Sequence, residues 1–142
     1  EIAQCLVGSE MCIRDSNHTF EKRTSYDWLT RDQAIVDQYI ADPLCGYLFT
    51  IKGMADLLHL NTAANSDEWY QKVRKDLPIL LISGAEDPVG GYSKGIDEVY
   101  DKLIQSGHTA VTEKLYPECR HEVLNERNKE EVYKYLYSYI IK

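Results

Sequence analysis

The sequence has no run of about 20 apolar residues, the length a helix needs to span a bilayer, and so gives no transmembrane segment. It has no cluster of Lys and Arg either. Its 16 basic residues are scattered among 23 acidic ones, for a formal net charge of −7. That balance excludes nucleic acid as the expected partner, because phosphates are neutralised by clustered cations. The stretch after Glu1 lacks the basic start of a signal peptide. Cysteine is sparse: Cys5, Cys12, Cys45 and Cys119 are too few and too irregularly spaced for a disulfide framework or a zinc site. A reducing, cytoplasmic setting is the simplest expectation. What remains is 142 residues of ordinary globular composition, room for one domain around a single core.

The opening stretch does not match the rest of the chain. CLVGSEMCIRDS has neither a clear hydrophobic period nor turn punctuation, and it looks like a translated library adapter. Residues 1–16 are therefore expected to be a non-native, adapter-like segment, with the natural coding sequence cut off upstream. The plainer alternative is a weakly patterned N-terminal segment.

Residues 17–76 read as a helical unit. Thr30-Arg31-Asp32-Gln33 fits a capping box, in which hydroxyl and amide side chains satisfy free backbone donors at a helix start. Ile35, Val36, Tyr39 and Ile40 then form one apolar face, and Asp42-Pro43 ends the helix. A second helix is expected over 48–60, and a third from Asn65 or Ser66, with Asp67 and Glu68 in its first turn.

The grammar changes at Pro78, and residues 77–142 form the second unit. Ile79-Leu80-Leu81-Ile82 is a short unbroken apolar run that suits a strand covered on both faces. A Gly-rich loop comes next, over 85–95. Ile96, Val99, Tyr100, Leu103 and Ile104 recur at helical spacing, and Gly107 supplies the stop. Residues 111–116 read as a second strand and 117–125 as a loop. Val132, Tyr135, Leu136, Tyr139 and Ile140 give the face of a closing helix. Strand, helix, strand, helix is the order of a parallel α/β sheet. Two strands alone make a poorly covered sheet, so further strands are expected outside this chain.

The chemistry-bearing residues fall in the two loops after the strands. The first contains Gly84-Ala85-Glu86-Asp87-Pro88-Val89 and the second Arg120-His121-Glu122. In open α/β sheets reactive groups gather beyond the carboxyl ends of the strands. Neighbouring strands would thus bring Asp87 and His121 to one rim. A carboxylate there would fix the imidazole tautomer and leave the other ring nitrogen as a general base toward a hydroxyl. Acid before histidine is also the chain order of hydrolase triads whose nucleophile precedes both.

At these residues the sequence resembles a known family. LPILLISGAEDPVGGYSKGIDEVYDKL and the later LYPECRHEVLNE are similar to the C-terminal portion of bacterial α/β-hydrolases related to lysophospholipases and monoacylglycerol lipases, often grouped with the serine aminopeptidase S33 family. YDWLTRDQAIVDQYIADPLCGYLFT resembles the end of the helical cap over their active site. The resemblance spans nearly all of residues 17–142. It implies an α/β fold: the last two parallel strands of a hydrolase core with their helices over 77–142, preceded by part of the cap over 17–76. It implies Asp87 as triad acid and His121 as general base, with the serine nucleophile and oxyanion-hole donors in an absent N-terminal half. The implied reaction is hydrolysis of a small lipid-like carboxylic ester, a monoacylglycerol or lysophospholipid, with no metal or organic cofactor. The chain as it stands is then expected to be inactive. The same logic serves proline iminopeptidases, epoxide hydrolases and dehalogenases of this fold, and a non-catalytic binding protein is the alternative from another class. Oligomeric state is not legible.

Other residues carry less. Gly91-Tyr92-Ser93-Lys94-Gly95 formally fits G-x-S-x-G, yet that motif needs a strand running straight into a sharp turn, so Ser93 is expected to be a loop and helix-start residue. An acid for it would have to come from Asp97, Asp101 or Glu113, all at positions that look solvated. His108 is expected at the surface and His59 in cap packing, or else lining an acyl pocket. Glu122 and Glu126 are expected to help start the last helix. Cys119 lies two residues before His121, but a nucleophilic pair needs converging side chains. Trp28 and Trp69 are expected to hold helices together, or else to face a lipid chain.

Overall fold

The computed structural model describes residues 23–141; the expectation for residues 1–16, with Cys5 and Cys12, lies outside them. Helix α1 runs Gln33–Ala41 and ends at Asp42, whose ψ of 117° suits the residue before a proline. Its start differs from the expected capping box. Asp32 is the N-cap and accepts from the Ala34 N–H at 3.0 Å. Thr30 is buried, and its hydroxyl donates to the carbonyl of Asn125 at 3.0 Å while accepting from the Asp32 N–H. A bond to a distant loop has displaced the local one.

Helix α2 runs Ile51–Ala64, capped by Thr50, and α3 runs Asp67–Lys72, capped by Ser66 with Asp67 and Glu68 in its first turn. No residue of α2 is buried. His59 is accordingly exposed rather than packed. The apolar side chains around it are open as well, Leu48 at 76% and Ile51 at 93%.

Strand β1 covers Ile79–Gly84, α4 Lys94–Gln105, β2 Val111–Tyr116 and α5 Lys129–Ile140, with a turn of 3₁₀ helix at Val123–Asn125. The strands pair in parallel, from Ile79 opposite Val111 to Gly84 opposite Tyr116. Parallel neighbours need a crossover, and α4 supplies it. Leu103 is the buried residue of α4, while Ile104 is 43% exposed. The helix closes in a Schellman arrangement: Gly107, at φ +93°, donates to the Ile104 carbonyl, and the His108 N–H donates to that of Leu103.

That closure also corrects the expectation for His108. It is 3% exposed, turned inward with Nδ1 at 3.1 Å from the Leu103 carbonyl and 3.0 Å from the Ser106 hydroxyl. The backbone bond from His108 back to Leu103 brings the ring in over the last turn.

The core joins Tyr116, Cys119, Val123 and Val132, with Ile82 and Leu136 against them. The apolar run of β1 is only half-buried over its first four residues. Full cover on both faces was expected; the described helices do not supply it. Only the carboxyl end, Ser83 and Gly84, is buried, and the chemistry-bearing loops leave the sheet there.

Candidate active site

Asp87 comes after β1 and His121 after β2, and the parallel pairing brings both to the same end of the sheet. Oδ2 of Asp87 lies 3.0 Å from Nδ1 of His121. The other carboxylate oxygen accepts from the Val89 N–H at 2.8 Å, and the Asp87 carbonyl accepts from Tyr92 N–H. The acid is thus buried, at 6% exposure, and held by its own turn. The His121 side chain is 38% exposed, and among the described residues none bonds its Nε2. The hydrogen bond to Asp87 raises the His121 pKa above its usual 6.5; burial opposes this and the carboxylate's charge adds to it. This arrangement can hold the Nδ1–H tautomer and present Nε2 to take a proton.

Close backbone packing sets the distance. A Cβ on Gly84 would lie 2.2 Å from the carbonyl oxygens of both Cys119 and Arg120. Only glycine at the strand end lets the histidine loop lie directly on it. Cross-loop hydrogen bonds reinforce this: Ala85 N–H donates to the Tyr116 carbonyl and Glu86 N–H to that of Cys119, each at 2.9 Å.

A third segment, 27–31, holds the histidine loop from the other side. His121 N–H donates to the Trp28 carbonyl and Glu122 N–H to that of Leu29, at 3.3 and 2.7 Å. The Trp28 ring packs on the imidazole, centroids 5.2 Å apart and tilted by 51°. The Arg120 guanidinium reaches the carbonyls of Asp27 and Thr30. Trp28 therefore touches the site itself, whereas Trp69 meets the Tyr70 ring edge-to-face.

Glu126 departs most from expectation. It does not start the last helix; its side chain is fully buried. One carboxylate oxygen accepts from the N–H groups of Arg31 and Arg120, at 3.1 and 2.9 Å. The other accepts from Nε of Arg31 at 2.9 Å and from the Arg127 N–H at 3.2 Å. Ninety-five positions separate Arg31 from Glu126, so no local pattern could have announced the pair.

Ser93 is the N-cap of α4 at φ +75°, separated from β1 by the loop 85–92, and its side chain makes no capping bond. No described hydrogen bond joins it to His121. Of the acids near it in sequence, Asp97 and Asp101 are exposed. Glu113 is half-buried, its carboxyl raised first by burial and then by the neighbouring Asp97. Cys119 is fully buried; its thiol donates to Asn128 and receives Arg31 rather than facing His121. Burial, then the Glu126 charge, pushes that thiol up and keeps it protonated, the inert state of a cysteine. Among the described residues no group of His, Cys, Asp or Glu is arranged to hold a metal ion, and no helix is long and apolar enough to cross a membrane.

A two-stranded parallel sheet flanked by helices, with a helical segment before it, is part of an α/β-hydrolase fold with its cap. The family model for serine aminopeptidase, S33, matches residues 7–128, and the chain belongs to that family. Among solved structures it is similar to a highly thermostable carboxyl esterase from Bacillus coagulans, crystallised with glycerol, at 30% identity and a TM-score of 0.77. It is also similar to a lipase in its open form, at 27% identity and a TM-score of 0.81. Each similarity covers 96% of this chain but only 44% of the other. The chain therefore spans less than half the length of these structures. No curated protein matches it in sequence.

Proposed function

We propose that this chain carries the proton-relay half of a serine hydrolase that cleaves carboxylic esters of small lipid-like molecules, a monoacylglycerol or a lysophospholipid. The observation that carries the reading is the 3.0 Å contact between the buried Asp87 and His121 at the ends of adjacent parallel strands. Asp87 orients His121 and stabilises its imidazolium. Nε2 takes the proton of a serine hydroxyl as the oxygen attacks the ester carbonyl, then returns it to the departing alcohol; water repeats the cycle on the acyl-enzyme. The serine and the oxyanion donors belong to protein outside these 142 residues.

The esterase and the lipase among the similar structures support ester chemistry, and the exposed apolar side chains around α2 suit a cap over an acyl chain. On this reading residues 17–76 contribute to the cap and 77–142 close the core. A cytoplasmic setting accords with Cys45 and Cys119 both being free thiols.

The family's description as serine aminopeptidases favours a second reading, cleavage of an N-terminal amino acid by the same triad. The protein from the uninterrupted reading frame separates the two: p-nitrophenyl acyl esters turned over faster than aminoacyl p-nitroanilides support the esterase. A fluorophosphonate probe labels a serine nucleophile and spares the aspartate of an epoxide hydrolase or dehalogenase. Faster anilide turnover, or no labelling, would sink the proposal.

A further inference from the structure

We propose that Glu126 is a positioning residue for His121, acting as a buried latch between the histidine loop and the segment that leads into α1. The inference rests on His121 being the general base and adds what holds it in place. The geometry is specific. The residue immediately before His121, Arg120, donates its N–H to Oε1 of Glu126, and the same oxygen accepts from the Arg31 N–H. Oε2 takes Nε of Arg31 and the N–H of Arg127. One side chain with no solvent exposure thus receives four donors, three backbone N–H groups and the Arg31 guanidinium.

The bonded segment is also the one that seats the imidazole. From 27–31 come the Trp28 carbonyl that holds His121 N–H, the Trp28 ring against the imidazole and the Leu29 carbonyl that holds Glu122 N–H. Thr30 closes the same seam from its hydroxyl to the Asn125 carbonyl. A carboxylate has acceptor capacity for four donors and no donor of its own, which this cluster demands. An ion pair this deep is costly to desolvate and gives little stability over an apolar pair of the same shape. Its value here is register: it fixes segment 27–31 against the loop, and so fixes where His121 stands relative to Asp87.

Glu126→Gln is the informative substitution, because it keeps the volume. An amide oxygen can still serve Arg31 and Arg120 N–H, but the amide NH₂ then meets the Nε of Arg31 and the Arg127 N–H, setting donor against donor. Proton NMR of the 142-residue chain reads the result through the low-field line of the His121 Nδ1–H that is bonded to Asp87, with His121→Ala assigning it and circular dichroism monitoring the fold. The unmodified chain is expected to show the line; Glu126→Gln is expected to keep its helix signal while the line broadens into water exchange. Thr30→Val, which cuts the same seam without touching a charge, is expected to speed exchange of that proton and decides the matter if Glu126→Gln does not fold. A line unchanged in position and exchange rate in whichever variant is folded overturns the positioning role and leaves the Asp87–His121 reading standing. Absence of the line from the unmodified chain sinks that reading, and this inference with it.

Discussion

Asp87 and His121 lie 34 positions apart in sequence and 3.0 Å apart in the structure, joined where two parallel strands end together. The acid is buried and the imidazole is partly open, so one partner is fixed and the other is reachable from solvent. The His121 pKa shift comes from the contact with Asp87. The bond to Asp87 raises His121, and burial only partly offsets it.

Asp87→Asn tests the shift. A histidine raised in the folded state adds stability that is fully present below its unfolded value of 6.5 and is lost as pH rises through the folded value. The variant is therefore expected to lose stability against urea at about pH 5.5 and to match the parent at about pH 9. Its His121 titration, measured by NMR, should fall to lower pH. Equal losses at both pH values would show that Asp87 acts only as a turn residue.

Gly84→Ala tests the close approach of the histidine loop to β1. A new Cβ would sit 2.2 Å from two backbone oxygens, and backbone cannot rotate away as a side chain can. The expected cost is about 1–3 kcal/mol, the usual range for overpacking, with the Asp87–His121 bond lengthened as the loop lifts. Denaturant melts and the His121 titration read both effects. An alanine variant as stable as the parent would mean that the loop lies further from the strand.

The sequence made this much legible because the relevant signals are local. The apolar run at 79–82, the helical spacing of α4 and the glycine at 107 are each written within a few residues, and so are the acid and histidine loops. The rest is carried by contacts across the chain. Thr30 looked like a helix cap because nothing nearby announced Asn125, and Glu126 looked like an aid to the start of the last helix because its partner Arg31 lies 95 positions away. His108 looked exposed because a residue after a helix stop usually is; the backbone bond to Leu103 draws it in.

Cys119 supplies a prediction of opposite sense, a lack of reactivity. It is fully buried, protonated and bonded to Asn128, whereas Cys45 is partly open. A thiol-alkylating reagent, with mass spectrometry as the readout, is expected to modify Cys45 in the native protein and to reach Cys119 only in denaturant. Rapid native labelling of Cys119 would contradict the packing of the histidine loop and reopen a cysteine nucleophile.

On the proposed reading, with Asp87 and His121 as acid and base and the nucleophile supplied from elsewhere, the chain as it stands should not hydrolyse a p-nitrophenyl ester. Turnover that disappears in Ser93→Ala would show that Ser93 is the nucleophile after all, and that its place at the start of α4 had been misread.

The most direct test of the account is kcat/KM for an acyl ester, measured on the protein from the uninterrupted reading frame, with and without His121→Ala. If His121 is the base of a triad oriented by Asp87, the value falls by about 10⁴-fold or more, while the variant retains the parent's fold by circular dichroism. A folded His121→Ala variant that keeps its activity within about tenfold, far short of the loss on removing a triad member, would contradict the account.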